Sequence, residues 1–79
     1  MTTRAKFHCY SVTQYPGGAA DVKLGVIYDP HGNEEDRNFT KATPSGEINM
    51  RIDNPAAAVQ FAPGKSYYVD FNEVPADKV

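Results

Sequence analysis

The alternation of apolar and polar residues with a period of two is the feature that most constrains the fold of this chain. Segment 21–28, with the sequence DVKLGVIY, places apolar residues at Val22, Leu24, Val26 and Tyr28, and segment 47–52, with the sequence EINMRI, repeats the pattern. Successive side chains of a strand point to opposite faces, so each segment predicts a strand with one buried face. The chain is therefore predicted to be mostly β.

The first predicted strand carries a change of phase. Phe7 and Cys9 hold the apolar positions at its start, whereas Tyr10 and Val12 hold them afterwards. Such a change indicates a bulge or bend near Cys9 and Tyr10. The turn sequence YPGG at 15–18 then favours a hairpin with the strand that follows.

The remaining elements are predicted from local signals. Segment 37–42 is predicted to be a short strand with Phe39 facing inward, and the sequence TPSG at 43–46 is a turn. Asn54 followed by Pro55 is typical of a helix N-terminus, which predicts a short helix at 55–61. The sequence PG at 63–64 predicts a turn with Gly64 at positive φ before a last strand at 65–71.

Together these elements predict an all-β fold with five antiparallel strands, closed into a small barrel or compact sandwich, with one short helix before the last strand. Residues 1–74 form a single β domain in this interpretation, and residues 75–79 form a flexible C-terminal tail.

Composition excludes several classes of site. The single cysteine of the 79-residue chain, Cys9, cannot form a disulfide within it, and the cysteine with two histidines offers no zinc-ligand pattern. The formal net charge of −2 and the scattered basic residues are unfavourable for phosphate-backbone binding. The first residues lack the apolar core of a signal peptide, so we expect a protein that stays in the compartment where it is made.

No catalytic site is predicted. The acidic loop at 29–36 holds Asp29, His31 and three further carboxylates, but its spacing matches no calcium loop, and a solvated loop is the simpler interpretation. Cys9 and its neighbour His8 point to opposite faces of a strand, so Cys9 is predicted to be a buried packing residue. We therefore expect a non-enzymatic protein without a cofactor.

One combination of turn and strand sequences extends over most of the chain. Its second half comprises a TPSG turn at 43–46, an NPAAA helix start at 54–58 and the closing sequence PGKSYYVDF at 63–71. The first half also fits, with KFHCYSVT at 6–13, a Gly-Gly turn and VKL at 22–24. This combination resembles a group of small uncharacterised proteins of tailed bacteriophages and prophages. The resemblance implies a phage origin, so we expect the protein in the host cytoplasm during infection or in the virion. It assigns no activity and no functional residue.

Five tyrosines in a chain without tryptophan suggest where contacts form. If Tyr67 faces the core, Tyr68 faces outward beside Asp70, and an exposed tyrosine on a strand suits a protein interface. We expect a contact face of Tyr68, Asp70, Arg51 and Asn49, on two strands predicted to be neighbours. The favoured function is a phage-encoded interaction protein, virion-associated or accessory, acting through a protein partner or self-assembly.

Three alternatives remain open at this point. The first is inhibition of a host protein. The second is a barrel that binds single-stranded nucleic acid, with stacking tyrosines and scattered basic residues on phosphates. Its candidate residues are Tyr10, Tyr28, Tyr68, Lys23, Arg51 and Lys65. The third is a small-ligand pocket between copies of the chain.

Overall fold

The computed structural model describes residues 2–78, and side chains from Thr3 onward. It is mostly β, with few helices. In chain order its elements are β1 (Thr2–Gln14), β2 (Ala20–Val26), α1 (Glu34–Ala42), β3 (Glu47–Ile52), α2 (Pro55–Ala58), β4 (Ser66–Asn72) and a 3-10 turn (Ala76–Lys78). All neighbouring strands are antiparallel, and the sheet order is β3-β2-β1-β4.

The long strand β1 organises the sheet by pairing with different strands along its two halves. Residues 2–8 pair with β4, and residues 7–14 pair with β2. The predicted bulge is confirmed, because the register with β2 shifts between Cys9 and Ser11 and leaves Tyr10 without a partner there. The predicted hairpin at 15–18 is confirmed as well, with the Tyr15 carbonyl accepting from Gly18 N–H at 3.2 Å.

The buried core lies on one face of the sheet, which we call the apolar face. Its fully buried members are Ala5, Phe7, Cys9, Val22 and Leu24. Half-buried side chains from all four strands and from the segment after α2 surround this core: Val12, Val26, Ile48, Ile52, Phe61, Tyr67 and Val69. Cys9 is completely buried, as its position on the strand predicts.

The prediction of five strands is wrong. Segment 37–42 lies in α1, and within residues 2–78 the sheet has four strands. Asn33 caps this helix by accepting from Asp36 N–H at 2.7 Å, and three acidic residues occupy its first turn, where they suit the helix dipole. With one strand fewer, the sheet curls into an open half-barrel and does not close.

The helix before the last strand is confirmed. The Asn54 side chain accepts from Ala56 N–H at 3.0 Å, and Pro55 holds the first helical position. The helix is shorter than predicted and ends at Ala58, which is buried against the sheet. Gly64 has φ of 90°, as predicted for its turn.

The molecule is thin for its mass. Its principal extents are 40 × 38 × 17 Å and its radius of gyration is 14.4 Å, against about 12 Å for a compact domain of this length. Its accessible surface of 5728 Å² exceeds the roughly 4,700 Å² expected for a monomer of this mass by about 1,000 Å². A single curled sheet therefore leaves an unusually large surface on the outside.

The predicted C-terminal tail, residues 75–79, is described except for Val79, which lies outside the described residues. The 3-10 turn at Ala76–Lys78 closes with a hydrogen bond from Lys78 N–H to the Pro75 carbonyl at 2.9 Å.

Candidate interaction surfaces

The four residues of the predicted contact face lie on the two edge strands of the sheet. Tyr68 and Asp70 belong to β4, whereas Asn49 and Arg51 belong to β3. The expectation that these strands are neighbours is wrong, because β1 and β2 separate them, a distance of about 14 Å along the sheet. The four residues therefore belong to two surfaces, one at each edge.

At the β4 edge, α1 packs on the sheet face opposite the apolar face. Tyr68 donates a short hydrogen bond from its hydroxyl to the Glu35 carboxylate. Its ring lies 6.1 Å from that of Phe39, and the Arg4 guanidinium sits 4.9 Å from the ring centre. Tyr68 is outward-facing, as predicted, but it is also the platform on which α1 rests.

Lys6 fixes the N-terminal turn of α1 to the sheet. Its ammonium lies 2.7 Å from a carboxylate oxygen of Asp36 and 2.9 Å from one of Glu35. These hydrogen bonds, the one to Asp36 first, raise the pKa of Lys6 above its ordinary value of 10.5. The pKa of Glu35 is lowered from 4.5 by the hydrogen bond from Tyr68 and then by the one from Lys6.

A second ion pair ties β1 to β4 at the same edge. The Arg4 guanidinium donates two hydrogen bonds to the Asp70 carboxylate, at 2.6 and 2.9 Å. This fork holds the pKa of Asp70 below its ordinary value of 3.8. Asp70, predicted as a contact residue, is therefore already paired within the chain.

A shallow groove runs beside this ion pair, between α1 and the sheet. Its lining combines charged, polar and aromatic side chains from β1 and α1: Arg4, Glu35, Asn38, Phe39 and Ala42. On the other face of β4, Phe71 is 53% exposed. Phe71 pairs with Thr3 of β1 and shares the face of Val69 and Tyr67, which pack against the core.

At the other edge, β3 carries a charged side and an apolar side. Glu47, Asn49 and Arg51 alternate with Ile48 and Met50. Met50 is opposite Val22 on the apolar face and is 38% exposed. Within residues 2–78, Glu47 forms no ion pair.

Arg51 has several weak partners on the solvent side of β3. Its guanidinium lies 4.9 Å from the ring centre of Tyr15, 3.4 Å from Asp53 and 3.9 Å from Asp21. Tyr15 also donates to Asp21 at 2.8 Å, which raises the pKa of the phenol. Since the Arg51 side chain is 59% exposed, it can reorient towards a partner at little cost.

The residues suggested for nucleic-acid binding do not form one track. Tyr68 contacts Arg4 and α1 and is half exposed, and Tyr10 lies at the bulge, where a Cβ on Gly25 would come within 3.7 Å of its ring. Tyr28 is exposed beyond the end of β2. Lys23 and Arg51 lie on the neighbouring strands β2 and β3. The Asp21 carboxylate lies beside the Arg51 guanidinium and places a negative charge next to this basic group.

The acidic loop and the buried Cys9 thiol form no metal-binding cluster in the described part of the chain. Among residues 2–78, no three His, Cys, Asp or Glu side chains converge as metal ligands would. Glu35 and Asp36, predicted as solvated loop residues, lie in α1 and bind Lys6. Cys9 Sγ donates a weak hydrogen bond to the Ser11 carbonyl at 3.9 Å.

Sequence reasoning misses the cluster that forms where α1 packs on the sheet near β4, with Arg4 and Lys6 from β1 and Glu35 and Phe39 from α1. A signal for them is present in the sequence. Asn33 followed by three acidic residues, with Lys41 eight residues later, has the cap and the charge order of a short helix.

Neither of the two helices within residues 2–78 has the length and apolar character that a bilayer crossing demands. No family model, no curated protein and no solved structure matches this chain.

Proposed function

We propose that this chain is a phage-encoded, non-enzymatic interaction protein that binds a protein partner through the β4 edge of its sheet. The phage origin rests on the resemblance of the turn and strand sequences described above. The partner belongs to the virion in this proposal, and a host protein is the alternative target.

Phe71 is the observation that carries the choice of edge. Phe71 lies on the apolar face of an edge strand, and about half of its large apolar side chain is exposed to water. Burial of this surface by a partner would be favourable. Aromatic side chains of this kind are enriched at the energetic centres of protein interfaces. The burial of Phe71 by a partner would also extend the core that Val69 and Tyr67 already form.

The geometry of the edge supports a partner segment in extended conformation. Within residues 2–78, β4 pairs with a strand on one side only, so the segment 66–70 presents an edge to which a strand can be added. The side chains of such a strand would alternate between the Phe71 side and the groove beside Phe39. The groove offers both an aromatic surface and the charges of Arg4 and Glu35 for recognition.

Site-specific photo-crosslinking tests this proposal. A benzophenone amino acid replaces Phe71 in one variant and Val59 in the other, and each variant is mixed with purified particles of the phage that carries the gene. Val59 is a matched control, since it is apolar and 76% exposed but lies after α2, outside the sheet.

We expect one discrete adduct with a virion protein from position 71 and none from position 59. Equal adducts from both positions would contradict the virion assignment. So would the absence of any adduct with particles if an adduct formed with a host extract. An adduct with single-stranded DNA in place of protein would support the nucleic-acid alternative.

A further inference from the structure

We infer that the chain also self-associates, forming a two-fold symmetric dimer in which the β3 edges of two copies pair as antiparallel strands. This inference is independent of the proposed function, which uses the opposite edge of the sheet. It rests on the open edge, its charge pattern and the surface that the fold leaves uncovered.

Within residues 2–78, no strand pairs with the outer edge of β3, and its outward backbone groups bond to no other backbone group. After β3 the chain turns towards the β1–β2 hairpin and away from the outer edge, since Pro55 at the start of α2 packs against Gly18, where an added Cβ would lie 2.7 Å from the proline ring. Natural edge strands are usually blunted by proline, lysine, a bulge or an inward-pointing charge. The sequence EINMRI has no proline or lysine, its register with β2 is unbroken, and its charges lie on the solvent face.

The backbone hydrogen bonds show which residues of β3 face outward. Val26 N–H donates to the Gly46 carbonyl at 3.1 Å, so this pair is of the hydrogen-bonded kind. Bonded and non-bonded pairs alternate along an antiparallel ladder. Ile48 and Met50 therefore bond to β2, whereas the backbone groups of Asn49 and its neighbours at 47 and 51 point away from the sheet.

Charge selects the register between two such edges. With Asn49 on the two-fold axis, Glu47 of each copy lies opposite Arg51 of the other copy, and the pair occurs twice. A shift that places Met50 on the axis sets Glu47 opposite Asp53, which is unfavourable because like charges face each other. The first register also sets Ile48 opposite Met50, so the half-exposed methionine gains an apolar neighbour.

The β4 edge lacks this self-complementarity. Its residues on the charged face include Asp70 and no basic residue, and Asp70 is already bound by Arg4. Glu47, in contrast, has no ion-pair partner within residues 2–78.

The excess surface of about 1,000 Å² relative to a compact monomer is similar to the roughly 800 Å² that each partner buries in a stable complex.

Charge-swap variants measured by sedimentation equilibrium test the inference. The wild-type chain is expected to be a dimer, and Arg51→Glu, which places like charges opposite each other, is expected to weaken dimerisation by about tenfold or more. The double variant Glu47→Arg with Arg51→Glu should restore dimerisation. Within one copy, positions 47 and 51 are about 13 Å apart along the strand, so their own contact cannot explain the rescue.

A cysteine pair provides the second measurement. Asn49→Cys brings two thiols to the axis with a Cα separation of about 5.5 Å, within disulfide range. Mild oxidation should link this variant into a dimer, whereas Lys23→Cys, on the neighbouring strand β2 and the same face, should remain unlinked. Circular dichroism establishes that each variant is folded.

Several outcomes would overturn the inference. A wild-type monomer at 100 μM, a dimer unaffected by Arg51→Glu, or no rescue by the double variant would each remove the β3 interface. Species that grow beyond a dimer with concentration would indicate head-to-tail pairing of β3 with β4. The first three results leave the adduct expected from position 71 unaffected, so the two proposals can fail separately.

Discussion

Tyr67 and Tyr68 are adjacent on β4, yet the sheet assigns them to opposite environments. Tyr67 packs against Phe61 with ring centres 5.2 Å apart, and its hydroxyl accepts from Ala62 N–H and donates to the Gln60 carbonyl, both at 3.0 Å. Tyr68, on the other face, rests under Arg4 and binds Glu35. Strand alternation predicts the face that each ring occupies, whereas the partner on that face depends on the fold.

Gly64 gives a prediction at the residue scale. Its φ of 90° is strained for any residue with a Cβ, although a Cβ there would meet no atom within 4 Å. Gly64→Val should therefore lower the free energy of unfolding by about 1 kcal/mol or more through backbone strain alone. Chemical denaturation followed by circular dichroism measures the loss.

Gly25→Ala is the matched control for that substitution. Gly25 lies in β2, and a Cβ there would make an ordinary 3.7 Å contact with the Tyr10 ring. We expect a change within about 0.5 kcal/mol for this variant. Equal stability of Gly64→Val and wild type would show that the turn at 63–64 is wrongly placed.

At the scale of elements, α1 shows the limit of pattern reasoning. Strands β1, β2, β3 and β4 are predictable because each shows apolar residues at a period of two, and α2 because Asn54 and Pro55 mark its start. Segment 37–42 has no comparable period, and Phe39 alone does not distinguish a strand from a helix. The cap at Asn33 favours the helical conformation of this segment, and contacts from Lys6 and Tyr68 hold α1 against the sheet.

The N-cap of α1 leads to a second prediction. Asn33→Ala removes the acceptor for Asp36 N–H and should cost about 1 kcal/mol of unfolding free energy. Asn38→Ala, a change of the same residue type in the middle of the helix, should be neutral or slightly stabilising. Equal losses in both variants, measured by denaturant titration, would argue against this cap.

The carboxylates at the β4 edge make stability depend on pH. The folded pKa values of Glu35 and Asp70 lie below their ordinary values of 4.5 and 3.8. The ionised forms therefore stabilise the fold above those values, and this contribution is lost as pH falls through the folded pKa values. Unfolding free energy should decline between about pH 5 and pH 2.

Tyr68→Phe separates the contribution of Glu35 from the general effect of acid. The variant removes the hydrogen bond that lowers the Glu35 pKa most. Its unfolding free energy should decline less steeply with acid than that of the wild type, because less stabilisation of the carboxylate remains to be lost. Parallel pH curves for the two proteins would contradict the role assigned to this contact.

At the scale of the whole molecule, the apolar pattern of the sequence does not predict that the sheet is open. The alternation in β3 and β4 predicts two amphipathic strands and gives no information on their order. The long strand β1 sets the order by pairing with β4 through its first half and with β2 through its second. The predicted contact face of Tyr68, Asp70, Arg51 and Asn49 is therefore divided between two edges.

A thin sheet with two open edges is well suited to binding on both sides. One edge presents Phe71 and the groove beside α1, and the other presents the self-complementary charges of Glu47 and Arg51. Together the two proposals describe a dimer that displays two identical β4 edges. Such a dimer would bind a repetitive surface with higher avidity than a single copy.

Co-sedimentation with purified phage particles shows whether the protein binds the virion through its β4 edge. The wild-type protein and a Phe71→Ser variant are each spun with and without particles, and the protein in the pellet is quantified. We expect the wild type to pellet only with particles and Phe71→Ser, although folded, to stay in the supernatant. A wild type that remains in the supernatant, or a variant that pellets equally, would contradict binding through the β4 edge.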